Sequence, residues 1–364
     1  MKIQAAVAEA PGADFAMRTL ELSEPRPDEV RVQIKAVGLC HTDLGVRDNP
    51  VGLTLPAVLG HEGAGIVEAV GASVTKVAPG DRVLISFRSC GACPKCEAGQ
   101  PAYCRQLLPM NFGGGRLSGG SSFEGAPVSS NFFGQSSFAT RALTYERNLV
   151  KLPPDVPFSV AAPLACGVQT GAGSVLRALD CAPGTSIVVI GGGTVGLSAV
   201  MAAKARGCDP IILIEPMAER RKLALELGAT HVIDPAAGET PPAVRAIAPF
   251  GVDFVLDASG VVAAAQAAFG YLGTRGVLAL VGVPPGGSQL HLPLDLAITF
   301  GMSVRGVIEG DSDPEVFIPE LLDLHKAGRL PFDRLITTFP FDQINEAIAQ
   351  QAMGRVVKVV LLMD

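Results

Sequence analysis

Ser186-Ile187-Val188-Val189-Ile190-Gly191-Gly192-Gly193-Thr194-Val195-Gly196 is the stretch from which the fold can be read. Its apolar, mostly β-branched run reads as a buried parallel strand, and Gly191, Gly193 and Gly196 spell G-x-G-x-x-G where a strand should turn into a helix. Such a turn needs a tight bend, close backbone approach to a diphosphate and close helix–strand packing, with the phosphates at the helix N-terminus beside Thr194 and Val195. Leu197 to Ala205 is Ala- and Leu-rich enough to be that helix. A second apolar strand, Ile211-Ile212-Leu213-Ile214, ends at Glu215, 19 residues past Gly196. An acid there accepts hydrogen bonds from both ribose hydroxyls of an adenosine and repels a 2′-phosphate, which favours NAD over NADP. In a chain with 42 glycines the motif alone means little; strand, turn, helix, strand and acid in order carry the reading.

Working outward, Val252-Asp253-Phe254-Val255-Leu256-Asp257 and Val277-Leu278-Ala279-Leu280-Val281-Gly282 read as two more buried strands. A doubly wound α/β domain of six parallel strands is expected between about 186 and 308. Ahead of it the chain is short-stranded and rich in turns. The first residues, Met1 to Val7, read as an edge strand, and Glu29 to Val37 alternates like a half-buried one. An irregular β domain is expected there. Residues 109 to 137 are loop-like and longer than most loops in compact domains, which points to a binding loop or a lid.

The 364 residues suffice for two or three domains. Mean hydropathy is +0.36, yet Gly and Pro interrupt each apolar run before the roughly 18 residues that a membrane span needs. Net charge is −6 with both signs interspersed, so neither a nucleic-acid groove nor a membrane surface is expected. A cytoplasmic protein is the expectation. With three Tyr and no Trp, the 16 Phe are the main aromatic material for a pocket.

Four of the eight cysteines, Cys90, Cys93, Cys96 and Cys104, fall within 15 residues. Gly91, Pro94 and Gly99 supply turns that let thiolates converge. Four sulfurs around tetrahedral Zn²⁺ leave no open position, so the site would hold a lobe together and do no chemistry. An iron–sulfur cluster or disulfides are the alternatives, although Cys104-Arg105 lacks the Cys-Pro of ferredoxins.

Cys40, Gly60-His61-Glu62, Cys166 and the four-cysteine lobe together make the sequence resemble, end to end, the zinc-dependent medium-chain alcohol dehydrogenases. Asn111-Phe112, Phe132-Phe133-Gly134-Gln135-Ser136-Ser137-Phe138 and Arg305-Gly306-Val307-Ile308-Glu309-Gly310-Asp311 are similar to the aryl-alcohol (benzyl-alcohol) group, with geraniol-type terpene alcohol dehydrogenases close by. The resemblance implies a nucleotide domain (Rossmann type) inserted into a mostly β, GroES-like catalytic domain. The expected boundaries are 1–167 catalytic, with a zinc lobe near 88–106, then 168–308 for NAD, and 309–364 completing the first domain. It also implies a dimer or tetramer, with strands around Met302 to Ile308 pairing across the two-fold.

The resemblance carries specific roles. Cys40, His61 and Cys166 would bind a catalytic zinc, making two zinc ions per subunit with the structural one. Two thiolates and an imidazole leave a fourth position for water or an alcohol oxygen. Glu62 matches a carboxylate that approaches the metal, and Asp43 one that fixes the His61 tautomer. The alcohol would lose its proton to Thr42 and a hydride to the nicotinamide. The relay histidine expected three residues on is replaced by Gly45, so water or His41 would take over; His41 otherwise matches a basic residue near the pyrophosphate. Thr170 would support the nicotinamide, Val281 and Val283 its carboxamide with Gly282 allowing close approach, and Arg220 the ribose. Lys358 matches a pyrophosphate-binding arginine, or else faces solvent. Phe87, Phe112, Phe132 and Phe133 would line a slot for a small aromatic or allylic alcohol or aldehyde. The leading expectation is reversible NAD-dependent oxidation of benzyl-type alcohols. Geraniol-type and glutathione-dependent formaldehyde dehydrogenases are alternatives, and a zinc-free quinone reductase or crystallin-like protein is a more distant one.

Overall fold

Val30, Val32, Ile34 and Val37 are buried along Glu29–Gly38, while Arg31, Gln33 and Lys35 are partly exposed. This alternation places the strand inside a seven-stranded, mostly antiparallel sheet with the order Ile336–Pro340, Lys358–Leu362, Glu29–Gly38, Gly63–Val70, Arg82–Ile85, Leu149–Lys151. Arg141–Tyr145 pairs with Glu29–Gly38 as well. The computed structural model describes residues 1–363.

A second sheet of four strands contains the start of the chain. Lys2–Ala8 pairs with Phe15–Leu22 on one side and with Ala57–Val58 on the other. The expected edge strand is therefore interior. Ala6, Val7 and Ala8 have no exposed surface, and a strand buried on both faces needs partners for its backbone groups.

The chain divides into two units. One comprises Met1–Cys166, Asp313–Ile318 and the chain from Leu335 onward; the other comprises Gly167–Ser312 and Pro319–Arg334. The reading of 309–364 as one return segment differs from this division. Within the second unit Arg177 pairs with Glu320, Arg334 with Glu226, and Arg329 donates to the Ala205 carbonyl. These bonds hold residues 319–334 to the nucleotide unit.

The second unit is built on six parallel strands in the order His231–Ile233, Ile211–Ile214, Ile187–Ile190, Val252–Asp257, Leu272–Leu280, Ser303–Gly306. The strand order reverses at Ile187–Ile190, so the crevice at its carboxyl end is the topological switch point. Helix Thr194–Arg206 begins there. All four residues of Ile187–Ile190 and of Ile211–Ile214 are buried, as expected of strands covered on both faces.

The stretch 109–137 is not a free lid. Its Arg116 guanidinium, 5% exposed, donates to Glu29 Oε1 at 2.7 Å and Oε2 at 2.9 Å. It also reaches the Ser121 carbonyl and Ser23 Oγ. Phe123–Glu124 adds a short strand to the N-terminal sheet.

Candidate active site

Cys40 caps helix His41–Asp48, His61 lies in the turn before Gly63–Val70, and Cys166 ends the helical segment after Phe158. With Glu62 they bring four ligand atoms within 4.8 Å of one another. Cys40 Sγ and Cys166 Sγ are 4.0 Å apart. Two sulfurs at ~2.3 Å from one tetrahedral zinc would stand about 3.8 Å apart.

Asp43 organises this cluster. Its Oδ1 accepts from Gly60 N–H (3.0 Å) and lies 2.9 Å from His61 Nδ1, while Oδ2 accepts from Cys40 N–H (3.0 Å). A carboxylate only accepts, so Nδ1 carries the proton and the Nε2 lone pair faces the sulfurs. Nε2 is buried with no hydrogen-bond partner. A buried acceptor of that kind beside two sulfurs fits a metal ion. The bond from Cys166 pulls the Cys40 pKa well below the ordinary thiol range against burial, helped by His61 and Lys358. Burial opposes charge on His61, but Asp43 and Cys40 outweigh it and raise its pKa. Replacing Asp43 by Asn removes the charge that orients the imidazole. We expect metal affinity and kcat/KM each to fall by about 10–100-fold, read by metal titration against a competing chelator and by initial rates.

Beneath the cluster Lys358 Nζ lies 2.7 Å from Glu62 Oε1 and 2.5 Å from Oε2, and donates to the Leu39 carbonyl at 3.0 Å. Lys358 is 2% exposed, which overturns the solvent-facing reading. Its ammonium is committed to Glu62 and not held out toward a phosphate. Burial pushes the Glu62 carboxyl up to about 7 against the pull of Lys358. Burial disfavours the Lys358 charge, yet Glu62 and Cys40 hold its pKa above the ordinary value. Gly38 makes room for this pair, since a Cβ there would stand 1.8 Å from Glu62 Oε2.

Phe112, Phe132 and Phe133 form one aromatic cluster with His61. The Phe133 ring stacks on the imidazole at 4.5 Å and 27°, Phe132 meets it edge-on at 5.7 Å, and Phe112 touches both phenyl rings. Phe133 has φ +51°, in the left-handed region that non-glycine residues rarely adopt. Asn131, Gly134 and Ser136 share positive φ, so a strained loop aims these rings. Gln135, which the sequence reading did not single out, holds that loop: Oε1 accepts from Gly63 N–H and Nε2 donates to the His61 carbonyl. Phe87 is buried at 3% exposure but makes no ring contact with this cluster among the described residues. Thr42 Oγ1 lies 3.7 Å from Cys40 Sγ. His41 is exposed at the start of the helix, and a side chain at Gly45 would meet nothing within 4 Å.

The four lobe cysteines also converge. Cys90 and Cys96 sulfurs are 3.9 Å apart, and Cys93 and Cys96 3.7 Å. No disulfide joins any of the eight cysteines, so the disulfide alternative falls. These separations again match one tetrahedral ion; a multi-iron cluster would hold the sulfurs farther apart. Backbone N–H groups of Cys90 and Gln106 donate to Cys104 Sγ. Those of Arg105 and Cys96 draw the Cys93 thiol down to about 6, toward the thiolate that binds metal.

In the second unit Gly191 has φ +96°, and a Cβ at Gly196 would stand 1.8 Å from the Gly191 carbonyl. A Cβ at Gly193 would meet nothing within 4 Å, which leaves the cradle above the Thr194–Arg206 N-terminus open. Thr194 and Val195 open that helix. Glu215, 3% exposed, curls over the turn: Oε2 accepts from Gly192 N–H at 2.6 Å and Oε1 from Met217 N–H at 2.8 Å. The Arg220 Nε is buried without a hydrogen-bond partner, and Arg221 is the residue that donates to the Glu215 carbonyl. Val281 and Gly282 N–H both donate to the Asp257 carbonyl at 2.9 Å, so these two donors are engaged within the protein. Val283 is 88% exposed. Thr170 lies in Gly167–Gly173 beside Gln169 and a buried acid, Glu309, which the Arg305–Asp311 stretch contains but to which no role was assigned from sequence.

Known proteins share this sequence pattern and fold. Residues 26–154 match the alcohol dehydrogenase GroES-like domain and residues 194–326 the zinc-binding dehydrogenase domain. Geraniol dehydrogenase of Castellaniella defragrans is 47% identical over 364 residues, covering 99% of this chain and 97% of that one. The crystal structure of benzyl alcohol dehydrogenase from Acinetobacter calcoaceticus is 41% identical, with all of both chains covered and a TM-score of 0.97. That of an alcohol dehydrogenase zinc-binding domain protein from Burkholderia ambifaria is 44% identical with the same TM-score, covering 100% of this chain and 99% of that one. The chain belongs to the zinc-dependent medium-chain alcohol dehydrogenases, with a GroES-like catalytic fold and a Rossmann nucleotide fold. Its activity is that of an alcohol oxidoreductase. No helix among the described residues is long and apolar enough to cross a membrane.

Proposed function

We propose that this enzyme oxidises primary alcohols carrying a flat aromatic group to aldehydes, reversibly, with NAD⁺ as hydride acceptor. The observation that carries this reading is the aromatic wall of Phe112, Phe132 and Phe133 against His61. Cys40, His61 and Cys166 would hold the catalytic zinc, and Cys90, Cys93, Cys96 and Cys104 the structural one. Bound zinc supplies the Lewis acidity that lowers the pKa of an alcohol toward neutrality. Asp43 keeps the imidazole in the ligating tautomer, and Lys358 holds Glu62 back so that the fourth position stays open. Thr42 accepts the alcohol proton. With Gly45 lacking a side chain, exposed His41 or water carries that proton to solvent. Phe133 and Phe132 exclude water and orient the ring.

Gly191, Gly193 and Gly196 with the N–H groups of Thr194 and Val195 take the diphosphate, and Glu215 takes the adenosine ribose with Arg220 alongside. Thr170, the Val281 carbonyl, Gly282 and Val283 serve the nicotinamide end. Replacing Glu215 by Ala should weaken NAD⁺ at least about tenfold, the worth of one charge-assisted hydrogen bond, while NADP⁺ gains. Paired titrations of the two cofactors check this.

Self-association as a dimer or tetramer fits the same unit. Ser303–Gly306 is an edge strand with every residue exposed, and Leu294–Phe300 buries none of its side chains, Ile298 being 81% exposed.

A second reading, an allylic terpene alcohol of the geraniol type, draws on the 47% identity to a geraniol dehydrogenase. Initial rates with NAD⁺ across benzyl alcohol, cinnamyl alcohol, geraniol, hexanol and ethanol separate the two. A kcat/KM lead of about tenfold for ring-bearing alcohols, ~1.4 kcal/mol, supports the aromatic reading. A lead for geraniol replaces it. The ligand clusters count against a zinc-free reductase, and the apolar wall against a charged glutathione adduct.

A further inference from the structure

The turn that follows the last strand of the nucleotide sheet is strained. Glu309, Gly310 and Asp311 have φ of +50°, +65° and +53° in succession. Two of the three are non-glycine, and such residues persist in this region only where their surroundings hold them. The surroundings here are specific. Gly310 packs so closely on helix Gly167–Gly173 that a Cβ would stand 2.5 Å from the Gln169 carbonyl. Arg305 clamps Asp311 at 2.8 Å, and the Ser312 hydroxyl donates to the Glu309 carbonyl at 2.7 Å. The product of this strain is one placement. The Glu309 carboxylate, 7% exposed, accepts from Gln169 Nε2 at 3.0 Å and lies 3.5 Å from Thr170 Oγ1.

Sheet topology says which half of a dinucleotide this acid would face. The switch point lies at the end of Ile187–Ile190, and Glu215 marks the adenosine side at the end of Ile211–Ile214. The other nucleotide half must then lie over the carboxyl ends of Val252–Asp257, Leu272–Leu280 and Ser303–Gly306. Glu309 follows the last of these by three residues.

We propose that Glu309 is a charge-matching residue for the nicotinamide: its carboxylate favours the cationic pyridinium of NAD⁺ over the neutral dihydropyridine of NADH. Hydride transfer discharges that cation, so the same carboxylate that helps capture NAD⁺ ceases to hold the reduced cofactor. Release of reduced cofactor is a frequent limit on turnover, and Glu309 would ease it. The inference rests on the reading of NAD as the cofactor.

The test is binding. Dissociation constants of NAD⁺, NADH and ADP-ribose are measured by calorimetry on the unmodified enzyme and on Glu309→Gln and Glu309→Asp. In Glu309→Gln the constant for NAD⁺ should rise about tenfold, that for NADH by less than about threefold, and that for ADP-ribose not at all. Glu309→Asp keeps the charge and tolerates a left-handed backbone, so it should restore the NAD⁺-to-NADH ratio. If Glu309→Gln also loses ADP-ribose through misfolding, Glu309→Asn carries the same comparison. Equal losses for NAD⁺ and NADH, or an unchanged ratio, overturn the proposal while leaving NAD as cofactor. An unmodified enzyme that binds neither, or prefers NADP⁺, overturns the cofactor reading and this proposal with it.

Discussion

Alanine at position 61 is expected to abolish alcohol oxidation, with kcat/KM falling by about 10³-fold or more, ~4 kcal/mol, while the nucleotide unit still binds its cofactor. His61 supplies the one imidazole among the two ligand clusters. Its loss leaves two thiolates, which must then hold the ion with an incomplete set. Metal content should fall from about two ions per chain toward one, because Cys90, Cys93, Cys96 and Cys104 are untouched. Some destabilisation is expected too, since the imidazole fills space against Phe133 and Phe132. Elemental analysis with ADP-ribose titration separates the outcomes. A variant that keeps both ions and near-native rates would remove His61 from the site.

The largest effect on stability should come from a residue far from the chemistry. Arg116→Met leaves the Glu29 carboxylate, 1% exposed, with the Arg26 N–H at 3.0 Å and the Tyr145 hydroxyl at 3.4 Å as its remaining described partners. Removing one member of a buried pair strands the other charge and costs about 3–5 kcal/mol. Urea unfolding should show that loss. Adding Glu29→Gln to Arg116→Met should recover part of it, because the uncompensated charge is gone. A double variant as unstable as the single one would mean that Arg116 acts by anchoring its loop to Ser121 and Ser23 and not by neutralising Glu29.

What could be read from sequence was local chemistry. Cys90, Cys93, Cys96 and Cys104 are legible as a candidate metal lobe because they are close along the chain. Glu215 could be placed because a strand of known length delivers it beside the glycine turn. The Cys40, His61 and Cys166 set needed a resemblance, since 126 positions separate the two cysteines. The solvent-facing alternative for Lys358 fails for a physical reason. Lys358 pairs with Glu62, 296 positions away, whereas a lysine in a strand is ordinarily a solvated one. The clue was its setting, Val356-Val357-Lys358-Val359-Val360, a run apolar enough for a strand buried on both faces. A lysine there requires a counter-ion. Gln135 and Glu309 lie in stretches that the resemblance marked, but their contacts, like those of Arg116, were not legible, because backbone strain and long-range pairing leave no periodic trace.

The route of the chain through its own catalytic unit has a consequence for synthesis. Lys358 lies on the strand that pairs with Glu29–Gly38, and the ribosome makes it only after the whole nucleotide unit. Until then every nascent chain carries Glu62 without its cation, and the sheet that positions Cys40 lacks a neighbour. The nucleotide sheet, complete by residue 306, has no such debt. The order of translation therefore lets the cofactor-binding half mature first and withholds a finished metal pocket until the end, so that an interrupted product has no route to a balanced catalytic site.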